Sequence, residues 1–228
     1  MEVNLLIFNC DCLQYMKSMK DCSVDCIVTD PPYLTNYKTC YRKDKTHRAN
    51  FTITNDNNSD FIVNYINECY RILKDNSAMF MFCSSHHVGW FKEQIEKAGF
   101  NWKNTIIWVK NNWSAGDLQA GLGRQYECII LAHKGRCLRK NNYRYTDVWE
   151  FDRVAGKEQL HQNQKPIDLL ERCLELYTSE HDIVFDGCMG SGSTGVACNN
   201  MNREFIGIEI EKEFFDIAKN RIDNLSIS

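Results

Sequence analysis

The chain has 228 residues and a mass of 26.7 kDa, the size of one domain with room for a small insertion. Hydrophobic residues make up 43% and aromatics 12%, which excludes wholesale disorder. With 27 Lys+Arg against 30 Asp+Glu the net charge is −3, so there is no global basic field and any nucleic-acid binding must use local patches.

In chain order, apolar runs of strand length alternate with segments of helical period, which predicts an α/β sheet. Residues 3–8 read as a strand and 13–19 as a short helix. VDCIVTD (24–30) is a buried strand running into Asp-Pro-Pro. Residues 59–73 form a helix with Phe61, Tyr65, Cys69, Ile72 and Leu73 on one face, and 78–83 form a strand. A helix at 88–98 and strands at 104–110 and 126–133 follow. Pro166 opens a helix to Tyr177, which suits proline in a first turn. A strand at 182–187, a helix at 192–199, a strand at 204–210 and a helix at 211–225 complete the chain, the last helix aligning Phe214, Ala218 and Ile222. No stretch approaches the roughly 18 apolar residues of a membrane span. The start, MEVNLLIFNCDCL, lacks the basic segment of a secretory signal. The twelve cysteines include no Cys-x-x-Cys pair, and several lie in apolar runs, so reduced thiols in the cytoplasm are expected and no metal site is.

Two stretches break the alternation. Residues 34–58 hold Lys38, Arg42, Lys43, Lys45, His47 and Arg48, and are expected to form a mobile basic loop. Residues 134–165 hold Lys134, Arg136, Arg139, Lys140 and Arg144, interleaved with Tyr143 and Tyr145. Each cluster alone reads as a solvated face; two in the longest irregular segments of an acidic protein favour contacts with nucleic-acid phosphates.

Residues 182–194, DIVFDGCMGSGST, run from a strand through Gly187, Gly190 and Gly192 into a helix. Such glycines let backbone amides approach a ligand at a helix N-terminus. Glu209 ends the next strand, placed to accept from both hydroxyls of a ribose. The motif alone suits NAD, FAD or S-adenosylmethionine. Asp186 beside the bound group disfavours phosphates and suits the sulfonium and ammonium of S-adenosylmethionine.

Asp30-Pro31-Pro32-Tyr33 follows the strand at 24–30 and uses two of the chain's three prolines. Proline fixes φ and removes a donor, leaving a rigid turn that presents carbonyls. The turn suits an exocyclic amino group on a flat base, whose lone pair is delocalised into the ring. Asp30 and the Pro31 carbonyl can each accept one N–H, which frees the lone pair, and Tyr33 can stack on the ring.

These two motifs resemble those of the amino-methylating DNA methyltransferases, which modify adenine N6 or cytosine N4. Asp30–Tyr33 matches their catalytic motif and Asp186–Thr194 their cofactor motif. The order, catalytic motif first, resembles the permuted β group found in many restriction–modification methylases. The resemblance spans most of residues 3–225. It implies an α/β, Rossmann-like S-adenosylmethionine-dependent methyltransferase fold, with a seven-stranded, mostly parallel sheet and helices on both faces. It also implies a single domain over 1–228 with a small target-recognition insertion at about 111–160. Asn9-Cys10-Asp11-Cys12 matches a turn in which Asp11 takes the cofactor's adenine amino group and the Cys12 backbone a ring nitrogen. His161, in His161-Gln162-Asn163-Gln164-Lys165-Pro166, matches a contact to the methionyl end. Ser191 and Ser193 match hydroxyls on its carboxylate, and Glu209 the ribose acid. In this reading Pro32 belongs with Asp30, Pro31 and Tyr33 to the catalytic turn.

Gly187-Cys188 replaces the family's Pro-Phe, which predicts a weaker hold on the cofactor, and Gln162 replaces a proline. The expected partner is double-stranded DNA with the target base flipped out. A cognate restriction endonuclease and a homodimer stay open as further partners, and no membrane is expected. Asp30 rather than Ser at the head of the turn leans towards adenine N6, with cytosine N4 as the alternative. An RNA or protein methylase, a nicotinamide oxidoreductase and a non-catalytic binder are the other classes; the intact Asp30–Tyr33 turn argues against the last.

Overall fold

The computed structural model describes residues 3–35, 53–114, 119–154 and 164–227. Its elements are β1 (Leu5–Asn9), α1 (Cys12–Ser18), β2 (Val24–Thr29), α2 (Ser59–Ile72), β3 (Leu73–Cys83), α3 (Val88–Lys97), β4 (Asn101–Ser114), β5 (Arg124–Lys134), β6 (Val148–Glu150), α4 (Ile167–Tyr177), β7 (Ile183–Asp186), α5 (Ser193–Asn200), β8 (Glu204–Glu209) and α6 (Lys212–Asp223). The alternation read from the sequence is therefore present. Pro166 sits at the N-cap of α4 rather than inside it.

Among the described residues the sheet has eight strands in the order β1-β8-β7-β2-β3-β5-β4-β6, one more than expected. The extra strand, β6, is three residues long with only Trp149 buried, too short to leave a period. It pairs parallel with β4, Ile107 opposite Val148. Of the eight, only β5 runs against the others, pairing antiparallel with β3 and β4.

Both sheet faces are covered. Along β3, Ala78, Phe80 and Phe82 point to the α4–α5–α6 side, and Met79, Met81 and Cys83 to the α1–α2–α3 side. This two-residue alternation is what a strand sandwiched between helix layers requires. Cys26, Cys69 and Cys173 are fully buried in these cores and pack as small hydrophobes. Asn58 caps α2 by accepting from the Phe61 amide at 3.0 Å.

From β2 the chain crosses to β3 on one side, and from β7 it crosses to β8 on the other. The strand order therefore reverses between β2 and β7. In open α/β sheets the crevice beyond the strands' carboxyl ends at such a point is where ligands bind.

Candidate active site

Four strand ends converge on one pocket. β1 delivers Asp11 and Cys12, β2 delivers Asp30–Tyr33, β7 delivers Asp186–Ser193, and β8 delivers Glu209. Every expected site residue among the described ones borders this pocket except Gly192, which lies just behind it. His161 lies outside the described residues, as do Lys38–Arg48 of the first basic cluster.

Glu209 is buried, and both its oxygens are engaged: Oε2 accepts from the Gly190 amide at 2.9 Å and Oε1 from the Glu211 amide at 2.8 Å. Each carboxylate oxygen keeps a further acceptor site for a ligand hydroxyl. Gly190 and Gly192 have φ of 52° and 75°, in the left-handed region that glycine enters with no Cβ penalty. A Cβ at Gly192 would stand 2.9 Å from Ala218 Cβ. Ser191 and Ser193 are backed by a residue the sequence reading missed: Arg221 Nη1 donates to Ser191 Oγ at 3.2 Å, to Ser193 Oγ at 3.1 Å and to the Ser191 carbonyl at 2.6 Å. Arg221 lies 28 residues or more along the chain, on α6, where nothing marks it.

The Gly187 substitution has a structural reason. Tyr65 of α2 lies against it, accepting from the Gly187 amide at 3.1 Å and sharing a 2.7 Å hydrogen bond with Thr29 Oγ1. A Cβ at Gly187 would stand 2.5 Å from the Tyr65 hydroxyl. A proline would also lack the amide that Tyr65 accepts. Phe61, its ring stacked with Tyr65 at 6.0 Å, lines the pocket and supplies aromatic surface where Cys188 does not.

Asp186 accepts from Thr194 Oγ1 at 2.7 Å and from the Cys188 amide at 3.1 Å. Burial nevertheless lifts its carboxyl to about 7, because these hydrogen bonds only partly offset desolvation. Asp11 accepts from the Gln14 amide at 2.9 Å and so also caps α1, with Cys12 the helix's first, buried residue.

The Asp30–Tyr33 turn is held by charge. Pro31 is buried and Pro32 half-buried, fixing the backbone. Asp30 Oδ1 accepts from the Tyr33 hydroxyl, and Oδ2 accepts from Lys165 Nζ at 2.7 Å. Lys165 faces two further oxygens, the Tyr33 hydroxyl at 3.2 Å and Glu127 Oε2 at 3.3 Å, and Glu127 in turn pairs with Lys110. Burial pushes the Asp30 carboxyl up, and the Lys165 ammonium pulls against it. Burial would raise Glu127 too, but Lys165 and Lys110 outweigh it and hold that carboxyl at about 2. Burial, with Asp30 adjacent, keeps the Tyr33 phenol protonated and therefore a donor. The sequence reading expected stacking from Tyr33 and did not foresee its hydroxyl holding Asp30.

The second basic cluster is dispersed. Lys134 is buried, donating to the Leu73 and Tyr70 carbonyls at 2.8 and 3.0 Å. Because β5 is antiparallel, Lys134 pairs with Ser77 at the sheet end opposite the pocket. Residues 136–145 follow it there, with Lys140 bonded to the end of α4 at Leu176. The hairpin between β4 and β5 instead rises at the pocket end of the sheet, where Cys83 pairs with Cys128. It exposes Trp113 (68%), Leu122 (95%) and Tyr126 (41%).

Comparison with known proteins gives concordant results. A protein-family profile, N6_N4_Mtase, described as DNA methylase, matches residues 24–220. The Type II methyltransferase M2.LlaDCHI of Lactococcus lactis subsp. cremoris is 29% identical, over 96% of this chain and 90% of its own. M2.DpnII of Streptococcus pneumoniae is 28% identical, over 96% and 90%. Among solved structures, the M1.HpyAVI–SAM complex superposes with a TM-score of 0.75 at 29% identity, covering 96% of this chain and 99% of that one. PvuII DNA methyltransferase, described as cytosine-N4-specific, has a TM-score of 0.76 at 13% identity, covering 99% and 92%, a likeness of fold.

Proposed function

Since the chain belongs to the N6/N4 DNA methylase family and is an S-adenosylmethionine-dependent DNA methyltransferase, we propose that it methylates adenine N6 on a base swung out of the duplex into the pocket at Asp30. An exocyclic amino group cannot be reached within the stack. The supporting observation is the Asp30 carboxylate itself, half-buried at the reversal of strand order on the same pocket as Glu209 and the glycine turn.

The residues present suit the cofactor, since two buried carboxylates, Asp186 and Glu209, and the buried Ser191 and Ser193 border one pocket. Glu209 would hold the ribose hydroxyls, Asp186 the cationic methionyl end, Ser191 and Ser193 its carboxylate, and Asp11 and Cys12 its adenine. Bound there, S-adenosylmethionine supplies an electrophilic methyl on a sulfonium. The protein's part is to orient the acceptor nitrogen. Asp30 keeps acceptor sites on both oxygens after its bonds to Tyr33 and Lys165. One of them takes an amino N–H, the Pro31 carbonyl takes the other, and the nitrogen lone pair turns towards the methyl. As positive charge moves onto that nitrogen, the adjacent carboxylate stabilises it, a preorganised electrostatic effect.

Target recognition on this reading falls to the β4–β5 hairpin, which stands at the catalytic end, rather than to residues 134–145 at the other. The likeness to enzymes designated Type II supports pairing with a restriction endonuclease. No helix among the described residues is long and apolar enough to cross a membrane. The deciding experiment digests methylated DNA to nucleosides for mass spectrometry. N6-methyladenine is expected; N4-methylcytosine without it would overturn the choice of base.

A further inference from the structure

The charged chain running from the catalytic turn into the β4–β5 hairpin is larger than orienting a single carboxylate by backbone requires. Lys165 is 7% exposed, yet it borders the pocket. Its ammonium is enclosed by Asp30 Oδ2 at 2.7 Å, the Tyr33 hydroxyl at 3.2 Å, Glu127 Oε2 at 3.3 Å and the Phe82 ring face at 4.9 Å. A buried ion pair contributes little to stability on balance, because desolvating both charges offsets most of their attraction. Stability therefore does not account for four alternating charges, Asp30, Lys165, Glu127 and Lys110, beside a reacting centre.

We propose that Lys165, anchored by Glu127, is a positioning residue for methyl transfer: it occupies Asp30 Oδ2, keeps that carboxylate ionised and aims it at the target amino group. This deepens the reading of Asp30 as the amino acceptor and rests on it. Each member has a task. Without the ammonium, Asp30 is left with partial desolvation and the like charge of Glu127, and both favour its neutral form. A neutral carboxyl is a weaker acceptor and opposes little of the charge that builds on nitrogen. With the ammonium but without Glu127, an uncompensated cation would stand beside that developing positive charge and raise the barrier. Glu127 cancels it, and Lys110 cancels Glu127 in turn. The ammonium's three oxygens define one orientation, so Oδ2 is taken and Oδ1 faces the base alongside the Tyr33 hydroxyl. The titratable groups facing Asp30 and Lys165 are Tyr33 of the same turn, Cys83 ending β3, Glu127 of β5, Lys110 of β4 through Glu127, and Asp186 of β7.

The test uses the full chain, S-adenosylmethionine and a duplex oligonucleotide carrying the unmethylated target site, with kcat measured between pH 5.5 and 9. Lys165→Met is expected to lower kcat on the order of 10²-fold while cofactor affinity stays within about twofold. The acid limb of its kcat profile should move up by about one pH unit or more, the shift associated with removing one close opposite charge. Glu127→Gln should lower kcat and move the acid limb down, since Lys165 is then uncompensated. Lys165→Arg should restore the limb more than the rate, because its charge is kept but its planar fork differs. A packing role would move thermal stability in all three without shifting the limbs in opposite directions. If Lys165→Met fails to fold, the Glu127→Gln limb decides alone: an unmoved limb with kcat near wild type overturns the proposal. Asp30→Ala is run in parallel. An inactive Asp30→Ala with an unaffected Lys165→Met removes only the positioning role, whereas an active Asp30→Ala removes the acceptor reading beneath it.

Discussion

Replacing Glu209 by alanine perturbs two things that the structure allows to be separated. The carboxylate would supply two charge-assisted hydrogen bonds to the ribose, each worth about 1.5–3 kcal/mol in a desolvated site. Their loss amounts to about 3–6 kcal/mol, or on the order of 10²- to 10⁴-fold in affinity. The same carboxylate also accepts the Gly190 and Glu211 amides at 2.9 and 2.8 Å. Leaving those partly buried amides without a partner costs about 1 kcal/mol each, which for a chain of this length lowers Tm by roughly 4–8 °C. Calorimetric titration with S-adenosylmethionine and a thermal melt of the free protein read the two effects independently. A variant that lost the Tm increment but kept affinity within threefold would show that Glu209 only ties down the glycine turn, and would refute its assignment to the ribose.

Asp30→Ala should cut methyl transfer on the order of 10²-fold or more while calorimetry still detects the cofactor; activity within a few-fold of wild type would sink the acceptor role. Gly187→Ala should push a Cβ into Tyr65 and destabilise the fold by about 1–3 kcal/mol, so an unchanged Tm would show that Tyr65 moves aside freely. Asp186 supplies a pH dependence: its folded carboxyl, raised to about 7, favours the free protein when protonated, and that contribution is lost as pH rises from the ordinary carboxylate range through about 7. A cationic ligand group prefers the ionised form, so S-adenosylmethionine affinity should rise through the same window, and Asp186→Asn should flatten both trends; a variant with wild-type pH profiles would refute the assignment. Neutralising Lys43, Lys45 and Arg48 together should lower the log–log salt slope of DNA binding by roughly 0.9 for each phosphate that these side chains neutralise, and an unchanged slope would make that segment a solvated face.

The parts of the site legible in the sequence were those whose residues lie together in the chain. Asp30–Tyr33 and Asp186–Ser193 are continuous turns at strand ends, where hydrophobic run, breaker and polar residue follow in order. Arg221 was invisible because it reaches Ser191 and Ser193 from 28–30 residues away, and as a charged residue at i+3 from Ala218 it only interrupts the apolar face that the sequence shows. Tyr65 was read as one member of an apolar helical face, which it is; its hydroxyl partner, the Gly187 amide, lies 122 residues on. Glu127 did leave a mark, since a carboxylate between Tyr126 and Cys128 in an otherwise apolar strand needs a buried partner. Nothing local says that the partner is Lys165.

The direction of β5 is what the sequence could not convey, and it decides which charges stand behind the Asp30 turn. An apolar run reads the same whichever way its strand is laid. Had β5 been parallel to its neighbours, residues 134–145 would lie at the pocket end and Glu127 at the other. Its reversal sends Lys134 down to the start of β3, where its charge is used on the Tyr70 and Leu73 carbonyls. The same reversal brings Glu127 up beside Lys165 and Lys110. One antiparallel strand thereby takes a basic cluster away from the pocket and sets a carboxylate behind it, against Lys165 and Lys110. It also ties the hairpin bearing Trp113, Leu122 and Tyr126 to the carboxylate that would receive the base.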